Sequence, residues 1–173
     1  MFRELETKRL RLKNIGYDDT EFIYKEFSTD EVNAYLYDAE PFNSPDEAKE
    51  LIDFYTEEEP RCQHRWIIIL KDSGEKIGTC GFHCLDRENN SAEIGYDLQP
   101  KHWRNGYMSE ALEEAIKFAQ NEMKLKSLVA HIFTDNIPSI KTAEKLGFYK
   151  TDETYYEEFR GEKYLHYIYR CCL

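Results

Sequence analysis

The spacing of apolar residues divides the chain into short strands and amphipathic helices. Residues 91–98 alternate between apolar side chains and polar or small ones, which predicts a strand with one apolar face. Downstream the pattern changes to helical spacing and predicts a long amphipathic helix that follows a loop at residues 103–107. The apolar positions of this helix are Met108, Ala111, Leu112, Ala115, Ile116, Ala119 and Met123.

The same reading applied to the whole chain predicts about seven strands and five helices. The other strands are expected at residues 7–14, 65–70, 76–85, 128–133, 149–159 and 163–169. The other helices are expected at residues 18–27, around 30–35, after Ser44 and Pro45, and at 136–146. This order predicts an α/β (α+β) fold, with a mixed, mostly antiparallel sheet and helices on both of its faces.

Length and composition bound the class of protein. The 173 residues fit one domain, residues 1–173. A net charge of −11 disfavours a nucleic-acid partner and would attract a cationic one, although many soluble proteins are simply acidic. Five cysteines without a CxxC pair near histidines disfavour a metal site and suit a reducing, cytoplasmic location. No apolar run approaches the roughly 20 residues of a membrane span.

The most informative segment joins the strand at 91–98 to the long helix. The loop between them contains Trp103, Arg104, Asn105 and Gly106, and the helix follows directly. A strand–loop–helix unit of this kind aims backbone N–H groups and the positive end of a helix at one spot, which suits a phosphate or pyrophosphate. Gly106 lets a ligand approach the backbone closely. An ordinary connection that needs glycine for its turn is an equal alternative.

Two sequence blocks resemble the acetyl-CoA-binding region of the GNAT superfamily. The first comprises residues 92–96, Pro100 and residues 103–112, and the second comprises Asn136, Ser139 and residues 144–148. Within that superfamily the chain is most similar to ribosomal-protein N-terminal acetyltransferases of the RimL and RimJ type. The resemblance implies acetyl-CoA as cosubstrate, no metal, and a sheet splayed between its fourth and fifth strands, at 91–98 and 128–133.

The resemblance also implies which residues bind acetyl-CoA. Gly106 matches the family's pyrophosphate loop, whereas Trp103 and Met108 depart from it. Met108 either crowds the phosphate or buries its side chain under the helix. Asn136 is expected to bond the pantetheine arm, to cap the following helix, or both. The full set implied for acetyl-CoA is Tyr96, Asp97, Leu98, Trp103, Arg104, Asn105, Gly106, Tyr107, Met108, Ser109, Asn136 and Ser139.

Candidate catalytic residues follow from the needs of amine acetylation. No Ser/His/Asp or Cys/His arrangement is apparent, which favours direct attack of the amine over an acyl-enzyme. We predict Glu93 as the general base, the alternative being a solvent-facing strand residue. The resemblance implies that Ser139 donates a hydrogen bond or proton to the leaving thiolate, the alternative being a serine of the first helical turn.

Four further aromatic side chains are candidates for a role at the site. Three tyrosines of the predicted terminal hairpin are expected either to shape an acceptor pocket or only to pack on the sheet: Tyr155, Tyr156 and Tyr164. His83 is expected to be structural.

The predicted function is therefore N-acetyl transfer from acetyl-CoA to a primary amine, on a protein N-terminus or a small molecule. The alternative is a non-catalytic acyl-CoA-binding module with the same fold, motivated by Met108. A nucleotide-binding domain is disfavoured because neither a P-loop nor a GxGxxG fingerprint is present. The sequence leaves the acceptor open, and it leaves open whether the protein is a monomer or a homodimer.

Overall fold

The computed structural model describes residues 2–29, 32 and 40–173, and the strands among them form one sheet. The strands are β1 (Leu5–Glu6), β2 (Leu10–Asn14), β3 (His64–Leu70), β4 (Lys76–Asp86), β5 (Ser91–Leu98), β6 (Ser127–Phe133), β7 (Tyr149–Phe159) and β8 (Glu162–Cys172). Their order across the sheet is β1-β2-β3-β4-β5-β6-β8-β7. All neighbouring pairs are antiparallel except β5 and β6, which are parallel.

Helices cover both faces of this sheet, as predicted. They are α1 (Thr20–Phe27), α2 (Pro45–Thr56), α3 (Tyr107–Asn121) and α4 (Ile137–Lys145). The apolar stripe of α3 packs on one face in the larger core, and α1 and α2 pack on the other face in a smaller core. None of the helices in the described ranges is long and apolar enough to cross a membrane.

Strand β3 shows why two cores form. Its run of apolar residues is continuous, so that both of its faces must be buried. Trp66 and Ile68 point into the larger core under α3, while Ile67 and Ile69 point into the smaller core under α1 and α2. Burying each such side chain contributes about 1.5–3 kcal/mol.

The described residues form eight strands where seven were predicted. The additional strand is β1, whose two residues pair with β2. Two residues are too few to show an alternating pattern, which is why the sequence did not reveal it. The helix expected around residues 30–35 falls almost wholly outside the described residues.

The feature that positions the site is the splay between β5 and β6. The two strands pair only at their starts, from Ser91 opposite Ser127 to Glu93 opposite Val129. Beyond Glu93, β5 stays paired with β4 as far as Leu98. Strand β6 instead stays paired with β8 as far as Phe133. A wedge-shaped gap therefore opens between the strands at Glu93, where the splay was predicted.

Candidate active site

Two cavities meet at this gap. The helix-side cavity, about 640 Å³, lies between the end of β5, the loop before α3 and the start of α4. The hairpin-side cavity, about 500 Å³, lies between β5, β6 and the β7–β8 hairpin, with α2 at its wall. Tyr96, Asp97, Asn136 and Ser139 line both cavities. These four residues mark the place where molecules held on the two sides would meet.

The loop at the helix-side cavity presents the N-terminus of α3. Gly106 precedes the helix with φ of 76°, in the left-handed region that glycine adopts at little cost. The helix's first hydrogen bond runs from the Glu110 N–H to the Gly106 carbonyl, at 3.1 Å. The N–H groups of Tyr107, Met108 and Ser109 therefore have no acceptor within the helix. Together with the helix dipole, they form a site for an anion.

The loop is tied to the start of the sheet by Glu110. Its carboxylate accepts hydrogen bonds from Thr7 Oγ1 at 2.6 Å, from Arg9 N at 2.8 Å and from Arg9 Nε at 2.7 Å. The Arg9 guanidinium also lies 4.4 Å over the Tyr107 ring and donates to the Asn105 carbonyl at 3.1 Å. Sequence reasoning missed this anchor because it joins residues about a hundred positions apart.

The structure places the residues predicted to bind acetyl-CoA around the helix-side cavity, except Asn105. All of the others line that cavity. The carboxamide of Asn105 turns back and donates to the carbonyls of His102 and Trp103, both at 3.1 Å, so that it shapes the loop. Met108 is 8% exposed and packs into the larger core. Of the two placements expected for its side chain, the structure therefore shows burial under the helix.

Helix α4 brings Ser139 to the gap. The carboxamide oxygen of Asn136 accepts a hydrogen bond from the Ser139 N–H at 3.2 Å, so that Asn136 caps the helix, as expected. The Ser139 hydroxyl lies 2.7 Å from the Tyr96 hydroxyl across the gap. Burial raises the pKa of Tyr96 to about 12, which keeps its phenol protonated at neutral pH. The sequence singled out both residues without indicating their contact.

Glu93 lies where β5 and β6 separate, and its side chain lines the hairpin-side cavity. Its carboxylate oxygen Oε2 is 3.8 Å from Nδ1 of His131 on β6. The Cys84 thiol is also close to Glu93. Its pKa is raised first by burial and then by the charge of Glu93. Sequence reasoning missed His131. The available signal was a histidine within an apolar strand, but its proximity to Glu93 depends on a register between β5 and β6 that the sequence does not reveal.

A buried polar network lies behind this part of β5. Arg65 donates to Asp97 Oδ2 at 3.3 Å and to Thr79 Oγ1 at 3.0 Å. Asp97 also accepts from the Thr79 N–H at 3.1 Å. Burial raises the pKa of Asp97, while the charge of Arg65 opposes the rise. Each of these groups is paired inside the protein, so that the network holds the end of β5 in place.

His83, which was expected to be structural, belongs to the same network. Arg65 Nη2 donates to its Nε2 at 3.3 Å, and the Tyr55 hydroxyl is 3.1 Å from its Nδ1. Burial first, and then the charge of Arg65, lower the pKa of His83 to about 3. The ring is therefore neutral at physiological pH. Although it lines the hairpin-side cavity, its ring nitrogens already contact protein groups.

Glu26 on α1 adds a second buried carboxyl next to Asp97. Its Oε2 accepts a hydrogen bond from Gln99 Nε2 at 2.8 Å. Burial first, and then the charge of Asp97, raise the pKa of Glu26 to about 9. Glu26 is therefore a neutral acid at physiological pH, and its carboxyl group can donate a hydrogen bond to Asp97.

The hairpin supplies aromatic and acidic groups to the hairpin-side cavity. The Tyr155 ring stacks on His166 with 5.0 Å between centroids, and its hydroxyl donates to Glu157 Oε2 at 3.0 Å. Of the three tyrosines considered in this hairpin, Tyr155 lines the cavity. Tyr156 is 60% exposed, and Tyr164 packs edge-on against the ring of Phe133.

Comparison with known proteins decides the family. A family model described as an acetyltransferase (GNAT) domain matches residues 9–149. The chain belongs to the GNAT acetyltransferase family. It is 40% identical over 151 residues to the uncharacterized N-acetyltransferase YoaA of Bacillus subtilis, covering 87% of this chain and 85% of YoaA. The GNAT fold and the enzyme class, an acyl-CoA-dependent N-acetyltransferase, are thereby confirmed.

Two further similarities concern the fold and the branch. The structure of spermidine N-acetyltransferase from Vibrio cholerae in complex with CoA and spermine aligns with a TM-score of 0.84 over 96% of each chain, at 20% identity. This likeness shows the fold. A ribosomal-protein-serine acetyltransferase of Escherichia coli is 32% identical over 84 residues, 49% of this chain and 46% of that protein. That partial match does not establish the RimL and RimJ branch within the GNAT family.

GNAT acetyltransferases use acetyl-CoA as cosubstrate, and the helix-side cavity has groups that suit it. The N-terminus of α3 faces the cavity and offers N–H donors for a pyrophosphate. From Ile94 to Leu98, the edge of β5 facing β6 has no strand partner in the described part of the chain. Across residues 2–29, 32 and 40–173, no group of three or more His, Cys, Asp or Glu side chains is placed to hold a metal ion.

Proposed function

We propose that the protein transfers the acetyl group of acetyl-CoA to a small, cationic primary amine. Acetyl-CoA occupies the helix-side cavity, and the amine enters the hairpin-side cavity. The observation that carries the proposal is the shared lining of the two cavities, where Tyr96 and Ser139 stand at the gap with Glu93 on its acceptor side.

The cosubstrate is held mostly by backbone groups. The pyrophosphate accepts hydrogen bonds from the N–H groups of Tyr107, Met108 and Ser109. The pantetheine arm lies along the free edge of β5 from Ile94 to Leu98, in the manner of an added strand. Asn136 lines the cavity beside it. This arrangement brings the thioester to the Tyr96–Ser139 pair.

The reaction then follows direct attack. Glu93 accepts a proton from the ammonium group of the acceptor, and the neutral nitrogen attacks the thioester carbonyl carbon. A C–N bond forms, and the C–S bond breaks as the tetrahedral intermediate collapses. Ser139, hydrogen-bonded to the protonated Tyr96, donates its proton to the leaving thiolate, and the second proton released by the acetylated nitrogen restores the Ser139 hydroxyl. The products are the N-acetylamine, CoA as its thiol, and one proton.

The charge around the hairpin-side cavity supports a cationic acceptor. Glu93 and Glu157 line it, whereas Glu40 is paired with Arg160 and the guanidinium of Arg65 is paired with Asp97. Its volume of about 500 Å³ falls in the range of small-molecule sites. The Vibrio cholerae structure is described in complex with spermine, which further supports a polyamine-like acceptor.

A protein N-terminus is the second candidate, as in the RimL and RimJ branch. The partial similarity to a ribosomal-protein-serine acetyltransferase favours it. We further propose that residues 1–173 act as one GNAT domain, which the sheet running from Leu5 to Cys172 supports. The expectations about nucleic acid and about monomer or homodimer stay predictions.

An acceptor comparison tests the proposal. Thiol release from acetyl-CoA is measured with putrescine, with butylamine (the same carbon chain with one amine) and with a peptide that has an N-terminal serine. We expect putrescine to give the highest kcat/KM and its KM to rise with salt, because screening weakens its attraction to the carboxylates. A higher kcat/KM with the peptide would instead favour a protein N-terminus as the acceptor. Release with none of the three would contradict the proposed acceptors.

A variant locates the distal charge of the acceptor. Glu157→Gln should lower kcat/KM for putrescine several-fold and leave butylamine unchanged, because the monoamine has no second ammonium group. Glu113→Gln, an exposed site on α3, is the matched control. Equal losses for both amines would contradict a role for Glu157 in charge selection.

A further inference from the structure

The geometry points to His131 as the proton acceptor behind Glu93. We propose that His131 receives the proton that Glu93 takes from the acceptor amine and passes it to solvent. His131 thus acts on the substrate through Glu93. The inference rests on the proposed function, since it concerns the fate of a proton released by amine acetylation.

The positions of the two side chains carry the inference. Glu93 is the last residue of β5 that pairs with β6, and its partner is Val129. His131 lies two residues further along β6, so that it projects on the same face as Val129 and lines the acceptor cavity together with Glu93. Nδ1 of His131 is 3.8 Å from Oε2 of Glu93. This is an ion-pair distance, and proton transfer requires the carboxylate and the ring to approach to hydrogen-bond distance.

The reaction requires an exit for one proton per turnover. The acceptor enters as an ammonium ion with three N–H bonds and leaves as an amide with one. Of the two protons lost, one ends on the CoA sulfur and the other must reach bulk water. Glu93 can hold that proton but must give it up before the next turnover. Histidine is the side chain most often used for such transfers, and the His131 side chain reaches solvent, with 30% of it exposed beside 38% of Glu93.

The packing around His131 holds its ring toward Glu93. The Tyr155 ring lies 4.9 Å from the His131 ring at an interplanar angle of 53°. Tyr155 is itself stacked on His166, and Nδ1 of His166 is 3.0 Å from the Tyr164 carbonyl. This stack limits the orientations open to the imidazole, whose Nδ1 lies 3.8 Å from Oε2 of Glu93.

Other titratable groups surround the pair and must be considered in any pH experiment. Cys84 on β4 adjoins Glu93, and its thiol pKa is raised by burial and by that carboxylate. Tyr155 on β7 packs on His131, with Glu157 bonded to its hydroxyl and His166 on β8 behind it. Glu93 is the carboxylate within ion-pair distance of His131.

Chemical rescue tests the relay. His131→Ala is assayed for thiol release with putrescine, with and without added imidazole. We expect kcat to fall about tenfold or more with KM nearly unchanged, and imidazole to restore part of the rate. The loss of kcat in His131→Ala should become smaller as the pH rises, because hydroxide then accepts the proton from Glu93. The wild type and Ser139→Ala should show no imidazole effect. A structural role for His131 would not produce rescue.

The outcomes separate this inference from the proposed function. Turnover by the wild type with an unchanged or unrescued His131→Ala protein overturns the relay alone. Absence of wild-type turnover with putrescine, butylamine and the serine peptide alike overturns both. If His131→Ala melts at a lower temperature, His131→Gln preserves more of the side-chain volume. A folded Gln variant with wild-type kcat then overturns the relay, and one with a reduced kcat at unchanged KM supports it.

Discussion

The hydroxyl oxygens of Tyr96 and Ser139 lie 2.7 Å apart, and this contact joins β5 to α4 across the gap between β5 and β6. Because burial raises the pKa of Tyr96 to about 12, its phenol remains a hydrogen-bond donor at neutral pH. Ser139 can then accept from Tyr96 while it donates to a third group. In the proposed reaction, that third group is the sulfur of CoA.

Removing either hydroxyl should slow the collapse of the tetrahedral intermediate. We expect Ser139→Ala to lower kcat about a hundredfold and Tyr96→Phe about tenfold, since Tyr96 acts through Ser139. Acetyl-CoA should bind both variants within a few-fold of the wild type, as measured by calorimetry. A normal kcat in Ser139→Ala, or equal effects on kcat and binding, would remove this residue from thiolate protonation.

The tie between Glu110 and the start of the sheet should control acetyl-CoA affinity. Glu110→Ala removes three hydrogen bonds, to Thr7 and Arg9, and frees the loop before α3. We expect the Kd for acetyl-CoA to rise about tenfold, because the loop must then be ordered on binding. Glu113→Ala on the same helix is the control and should bind normally. Equal Kd values for the two variants would show that the anchor does not position the loop.

The buried acid Glu26 should make stability fall as the pH rises. Its pKa is raised from 4.5 to about 9, first by burial and then by Asp97. Between these values the folded protein holds a proton that the unfolded chain releases, so that stability is lost as the pH rises toward 9. Glu26→Gln retains an acceptor for Gln99 and cannot ionise. We expect its Tm to exceed that of the wild type by at least about 2 °C near pH 8, and by less near pH 5.

A matched substitution isolates this effect. Glu21 lies on the same helix as Glu26, but its side chain is 81% exposed. Glu21→Gln should therefore change the Tm little at either pH. If the Tm difference between Glu26→Gln and the wild type is the same near pH 5 and near pH 8, Glu26 does not carry a proton in the folded state.

Local sequence patterns were sufficient for most of the architecture. The alternation along residues 91–98 and the helical spacing from Met108 onward predicted β5 and α3 nearly at their observed bounds. Both patterns reflect burial of one face against a core, which neighbouring residues encode. The loop at Gly106 was found for a similar reason, since its glycine and the helix behind it are adjacent in sequence.

Contacts between distant segments could not be predicted in this way. The approach of His131 to Glu93 depends on a three-residue register between β5 and β6. The contact of Tyr96 with Ser139 depends on how α4 packs beside the gap. Likewise, nothing near Glu26 in the sequence indicates that it lies beside Asp97. Each of these relationships arises from tertiary packing, which the periodicity of a single segment does not contain.

The most direct test of the account is acetyl transfer itself. Purified protein is incubated with acetyl-CoA and putrescine, and acetylputrescine and free CoA are quantified together for the wild type, Glu93→Gln and Glu113→Gln. We predict equimolar products for the wild type and Glu113→Gln, with a rate lower by about a hundredfold in Glu93→Gln near neutral pH. A wild type that binds acetyl-CoA but forms no acetylamine, or a Glu93→Gln variant with an unchanged rate, would contradict the account.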